Sequence, residues 1–225
     1  MRTIRTLTAG LACVALLPAL AAAQSAPPSV PQKARSFTDS WYWGAKGGVS
    51  MFSSATEDIS APSVGAEWLI TRTRVAMYVS VEQSFFETEG GVFDPTSAGG
   101  VRLVDIQDSR RYNLQLFAFP KQFGPFRPYA GIGFALIAIR DANPTGAFAT
   151  PASQDSLFGR VNDESSRTAA VFTLGGQFDV QRFGIFVQAS AMGTRNRFLI
   201  NGKPNTYLLE GGLRYNVVDA VEKLF

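Results

Sequence analysis

The sequence predicts an all-β fold, an eight-stranded antiparallel up-and-down transmembrane β-barrel, and three observations carry that expectation. From Trp41 onward the apolar residues recur with a period of two rather than 3.6. The connections between these runs alternate long and short along the chain. Glycines (Gly44, Gly48, Gly65, Gly131, Gly133, Gly175 and Gly212) collect on the polar face of the runs, where a narrow interior needs small side chains.

The chain begins with a segment that reads as an address. Arg2 and Arg5 precede an apolar stretch from Leu7 to Leu20, and Ala21-Ala22-Ala23 supplies small residues for cleavage before Gln24. Residues 1–23 are therefore expected to be a secretory signal peptide that leaves with Cys13, the single cysteine. Residues 24–40, with Pro27, Pro28 and Pro31, have no apolar period and read as a flexible lead-in.

The barrel itself is expected over 41–217, with strands at 41–51, 63–70, 75–86, 101–119, 127–140, 167–180, 185–195 and 206–217. A tilted strand crosses a bilayer with roughly 9–11 residues, which these runs supply, and 101–119 is long enough to project beyond it. The connections at 71–74, 120–126 and 181–184 are short; those at 52–62, 87–100, 141–166 and 196–205 are long. Short turns at one end and long loops at the other place both termini on the same side of a membrane.

Each run divides into two faces. Val75, Met77, Val79 and Val81 oppose Tyr78, Ser80, Glu82 and Ser84, while Val64, Ala66, Trp68 and Ile70 oppose Gly65, Glu67 and Leu69. Ala130, Ile132, Phe134, Leu136 and Ala138 oppose Gly131, Gly133 and Ala135. In the last run Tyr207, Leu209, Leu213, Tyr215 and Val217 oppose Glu210, Gly212, Arg214 and Asn216. A soluble barrel would turn the apolar face inward. The small residues and isolated charges of the polar face favour the opposite arrangement, with the apolar face in lipid. Trp41, Trp43, Tyr112, Phe119, Tyr129 and Tyr215 lie towards strand ends and are expected to form interfacial girdles.

Composition narrows the function classes. The chain has 225 residues, 46% hydrophobic and 17% charged, with no histidine and a net charge of +3. Removing Arg2 and Arg5 with the signal peptide lowers that charge by two, so nucleic acid is not an expected partner. Without histidine there is no imidazole base, Ser-His triad or His ligand for zinc, and no metal or other cofactor is expected. Asp141, Asp155, Asp163 and Glu164 match no EF-hand spacing and read as solvated loop charge.

The last run carries a more specific pattern. Glu210, then Gly212 two places on, then Tyr215 and Val217 three and five places after the glycine resemble the assembly signal in the final strand of small bacterial outer-membrane β-barrels. Arg127-Pro128-Tyr129-Ala130-Gly131-Ile132-Gly133 is similar to a Pro-Tyr-x-Gly-x-Gly strand start in that family. The sequence thus resembles the OmpA-like, OmpX-like and OmpW-like eight-stranded barrels over about 41–217. The resemblance implies location in the outer membrane, contact with its lipids, handling by the barrel-assembly machinery and a monomeric, non-enzymatic protein. In one respect the chain departs from the family: residues 218–225 run on past the signal to Phe225, as a short helix at the mouth or a second strand-end signal.

The candidate site residues fall into two sets. The polar interior should hold a network of Lys46, Glu67, Glu82, Arg111, Gln115, Asp179, Glu210 and Arg214, joined by Gln177 and Gln188, with Arg214 closing towards Lys46. Charges in a narrow lumen must be paired, so this network is expected to plug the barrel. The loops are the expected place of contact with an extracellular ligand or protein, with Phe93, Phe148, Leu157 and Phe158 as a candidate binding surface. The main functional expectation is a structural or surface-interaction barrel with a charge-plugged lumen. One alternative is an OmpW-like conduit for small hydrophobic molecules or a narrow pore, which apolar residues inside the upper barrel would support and the mostly polar inward set opposes. The other is a soluble periplasmic barrel that binds lipid.

Overall fold

The computed structural model describes residues 37–54, 57–97, 99–193 and 205–219. The expected signal peptide, most of the lead-in, most of the last long connection and residues 220–225 lie outside them. The strands are β1 (Ser40–Ser53), β2 (Asp58–Thr71), β3 (Val75–Phe93), β4 (Val101–Ala118), β5 (Phe126–Pro144), β6 (Ser166–Val180), β7 (Phe183–Gly193) and β8 (Asn205–Asp219). A helix, α1 (Pro151–Glu164), lies between β5 and β6. Each strand pairs antiparallel with its sequence neighbours and β8 returns to β1, so the barrel closes in chain order with no free sheet edge in its wall.

The pleat sorts the side chains as the alternation requires. Val64, Leu114, Ile132, Phe134, Val187 and Leu209 stand exposed on the outside, Ile132 at 68%. Lys46, Glu67, Glu82, Arg111, Gln188 and Arg214 are buried inside. An apolar exterior around a polar interior is the reverse of a soluble barrel and the arrangement of a transmembrane one.

Three expectations need correction. The connections read as long are partly strand: β1 and β2 continue until only residues 54–57 join them, and β3 and β4 until only 94–100 remain. An antiparallel ladder is held by main-chain hydrogen bonds, so it persists through polar stretches in which apolar alternation has faded. The 141–166 connection contains α1, whose start is fixed locally. Ser153 N–H donates to Thr150 Oγ1 and Thr150 N–H to Ser153 Oγ, with Pro151 in the first turn. Finally, Phe119 and Tyr129 do not join a girdle. Both face the lumen and are buried, because they share the parity of Phe117 and Gly131. Outward aromatics near the short turns include Trp41, Trp43, Phe126, Phe178, Phe183 and Tyr215.

At that same end the chain is ordered earlier than the sequence indicates. Phe37 is buried, meets Phe119 edge-on at 4.8 Å, and lies 4.2 Å beneath the Arg127 guanidinium. Thr71 secures the approach: its Oγ1 donates to the Phe37 carbonyl and accepts from Ser40 N–H at 3.0 Å. At the other terminus β8 runs into the expected tail as far as Asp219, opposite Ser40.

Candidate functional site in the lumen and its cap

The lumen is filled in layers. Nearest the short turns, Arg127 and Asp179 form an ion pair at 2.5 Å beside Phe37 and Phe119. Above them the rings of Tyr78, Phe117 and Tyr129 stack in succession, with centroids 4.5 and 4.9 Å apart. Such offset stacks bury large surface while leaving the phenol oxygens free to face the next layer.

That next layer holds three cations and three carboxylates. Lys46 pairs with Glu82 and, at 3.3 Å, with Glu210. Arg111 bridges the same two glutamates, reaching Glu210 at 3.2 Å. Arg214, fully buried, pairs with Glu67 and donates to Gln177 Oε1 at 2.7 Å. Its guanidinium also lies 3.9 Å from the Phe186 ring centroid. Tyr78 joins the two groups: its hydroxyl donates to Glu67 at 3.1 Å and accepts from Lys46 Nζ at 2.8 Å. Gln188 donates to Glu210 at 2.9 Å and accepts from the Tyr129 hydroxyl at 3.0 Å. Charge inside a low-dielectric interior is tolerable only with this degree of pairing.

The positions differ from the sequence expectation in two respects. Arg214 turns to Glu67, not towards Lys46, because Gly44 on the intervening strand leaves room for the Glu67 side chain. Asp179 sits at the mouth with Arg127 and, among the described residues, reaches the lumen set through Gln177, which donates to it at 2.6 Å. Gln115, between Arg111 and Phe117 on the inner face of β4, accepts from Thr173 Oγ1 at 2.8 Å. Tyr78, Asn113 and Arg127 also belong to this interior, outside the network expected from the sequence. Asn113 donates to Glu82 at 2.9 Å, and inward parity on β4 was the signal that could have found it.

The glutamates share a device. Gly44 lies opposite Glu67, Gly65 opposite Glu82 and Gly48 opposite Glu210. A Cβ would stand 2.8 Å from Glu67 Oε1 at Gly44, 2.7 Å from Glu82 Cγ at Gly65 and 3.0 Å from Glu210 Cγ at Gly48. The missing methyl groups leave room for the glutamate side chains and, at Gly48 and Gly65, for the neighbouring carbonyls of Leu209 and Val81.

Towards the long loops the interior becomes apolar, which corrects the expectation of a mostly polar inward face. Val104, Ile106, Ile137, Val171, Met192 and Leu208 form one buried cluster, closed from above by Leu157 and Val161 of α1. The void between this cluster and the charged layer, bordered by Arg111, Gln115, Gln188, Met192 and Glu210, admits no water molecule.

Arg102 holds the cap. It pairs with Asp94 at 2.6 Å, donates to the carbonyls of Thr145 and Ala147 at 3.0 and 3.1 Å, and lies 4.6 Å from the Phe148 ring centroid. Hydrogen bonds from Thr96, then the one from Arg102, lower the Asp94 carboxyl to about 2. Close donors, not a desolvating core, cause that shift. Of the proposed loop surface, Leu157 is buried in the cap and is withdrawn from the set, while Phe148 packs against the cluster. Phe93 and Phe158 stay exposed, and Arg160 donates to the Phe93 carbonyl at 2.8 Å. Among the described residues no group of three or more acidic or cysteine side chains is placed to hold a metal ion.

The solved structure of Neisserial surface protein A (NspA) matches with a TM-score of 0.51 at 10% identity, over 79% of this chain and 97% of that one. This chain has the fold of a small eight-stranded outer-membrane barrel. The N-terminal β-barrel domain of Pseudomonas aeruginosa OprF matches at 10% identity over 80% of this chain and 98% of that one, with a TM-score of 0.47. Ail of Yersinia pestis matches at 13% identity over 79% and 99%, with a TM-score of 0.45. No family model and no curated protein matches the sequence.

Proposed function

We propose that this chain is a monomeric, non-enzymatic barrel of the outer membrane, delivered by a cleaved signal peptide and folded by the barrel-assembly machinery, with a structural or surface-interaction role. The observation that supports this reading is the combination of an exposed apolar wall with a lumen whose charges are paired and whose apolar residues cluster beneath α1. The wall requires hydrocarbon around it. The paired charges of Lys46, Arg111 and Arg214 with Glu67, Glu82 and Glu210 supply internal cohesion in place of a conduit. Contact with an extracellular partner then falls to the projecting β3–β4 hairpin and the outer side of α1, where Phe93 and Phe158 are exposed.

The test is cell fractionation followed by comparison of boiled and unboiled protein on a denaturing gel, then planar-bilayer recording. The reading expects the outer-membrane fraction, a heat-dependent mobility shift and no steady conductance. Recovery in the soluble periplasm without a shift would overturn the membrane assignment, and stable single-channel steps would overturn the plug.

One observation favours a second reading, a site for small hydrophobic molecules. The apolar cluster of Val104, Ile106, Ile137 and Val171 would line a chamber open to the outside if α1 were displaced. Saturable binding of a small apolar probe by the intact protein supports this reading; its absence leaves α1 as a fixed part of the core.

A further inference from the structure

The outer wall of the barrel is not smooth. Across β1 to β5 runs a groove of about 560 Å³, bounded by Trp43 and Trp68 at one side and by Leu114, Tyr112 and Phe134 at the other. It exists because Ala66 stands between the large rings. Trp43 and Trp68 lie almost parallel, with centroids 5.6 Å apart and planes at 12°, and Trp41 meets Trp68 edge-on. On a membrane-facing wall such a hollow must be filled by something apolar.

Charge at one end of the groove indicates what fills it. Arg74 is exposed at the foot of β3, and the outward side chains of Val75, Met77 and Val79 lead from it to the groove. Its neighbour Arg72 is paired with Asp39 at 3.0 Å, whereas Arg74 has no carboxylate partner among the described residues. Arg74 and Val79 are about 17 Å apart along the strand. With strand tilt, that separation lies within the ~15 Å hydrocarbon depth of one leaflet. Trp41, opposite Ile70 on β2 and so level with Met77, lies at a height between Arg74 and the groove. Its indole N–H is buried and has no acceptor among the described residues, and a buried unpaired donor is costly.

We infer that the groove binds one acyl chain of a phospholipid from the short-turn leaflet, with its phosphate held by Arg74. The inference rests on the membrane reading given above. The phosphate supplies the counter-charge that Arg74 lacks among the described residues, the ester oxygens come nearest to Trp41, and the chain passes over Val79 into the hollow above Ala66.

The test is native mass spectrometry of the full-length protein purified from membranes in mild detergent, with retained lipid identified after extraction. Wild type is compared with Ala66→Trp and Val79→Phe, which fill the groove from two strands, and with Arg74→Gln. Wild type should retain one phospholipid per barrel. The two filling variants should retain at least tenfold less, and Arg74→Gln several-fold less, while all keep the heat-dependent mobility shift. Equal retention by wild type and the filling variants means annular lipid only and overturns the site. So does retention of a glycolipid in place of a phospholipid, or a lipid-free dimer that Ala66→Trp dissociates. A wild-type chain without the mobility shift overturns the membrane reading itself; a shift without groove-dependent lipid overturns only this site.

Discussion

Gly44 faces Glu67 directly across the β1–β2 ladder, and a methyl group on Gly44 would stand 2.8 Å from the carboxylate oxygen that receives Arg214. The ion pair therefore depends on a glycine that touches neither charge. Gly44→Val should destabilise the folded barrel by about 1–3 kcal/mol, the usual cost of overpacking. Gly47→Ala should be nearly neutral, since its Cβ would meet only Ser63 O at 3.6 Å. Urea titration of the heat-modifiable band for both variants checks the contrast.

Arg214→Met should cost about 3–5 kcal/mol, because it strands the Glu67 carboxylate in a dry interior. Adding Glu67→Gln should recover most of that loss, since an unpaired charge is worse than none. The same titration on the single and double variants reads the recovery, and no recovery would mean that Arg214 acts mainly by packing on Phe186.

The anchor of the cap should be resistant to acid. The Asp94 carboxyl is lowered from 3.8 to about 2. A group lowered on folding contributes stability above its unfolded value and loses it as pH falls through the folded one. The Asp94–Arg102 anchor is thus expected intact at pH 5 and released progressively between about pH 4 and 2. A fluorophore on Asp155→Cys should report α1 release in that window, and Asp94→Asn, which has no carboxyl to titrate, should remove the transition and leave α1 loosened at every pH.

Leu157 and Val161 are the two buried residues of α1. Replacing both with Asp should detach the helix while the barrel keeps its mobility shift, and should raise the fluorescence of an apolar dye several-fold. An unchanged dye signal would show that the cluster of Ile106, Ile137 and Val171 closes without its cap.

Much of this was legible in the residues. Tyr78, Ser80 and Glu82 could be assigned inward and Val79 and Val81 outward because parity along a strand depends on the pleat alone. Strand ends were less legible. Residues 58–62 and 87–93 continue the ladder with main-chain groups that leave no mark on side-chain alternation. Helix α1 had a readable start in Thr150-Pro151 with Ser153, and Leu157 and Val161 at a spacing of four, but its Pro, Ser and Thr content reads equally as loop. The pairing of Arg214 with Glu67, and the seating of each lumen glutamate over a glycine, needed the register between strands. No single strand contains that register.

What the sequence determined by itself was the barrel, its strand number and which face meets which medium, because these follow from a period of two and from the size of a closed eight-stranded ring. The tertiary structure decided the division of the lumen into a charged half and an apolar half, the partner of each charge, and the use of α1 as a lid. Those features arise where residues distant in the chain meet across a closed interior, and closure sets which inward side chains share a layer.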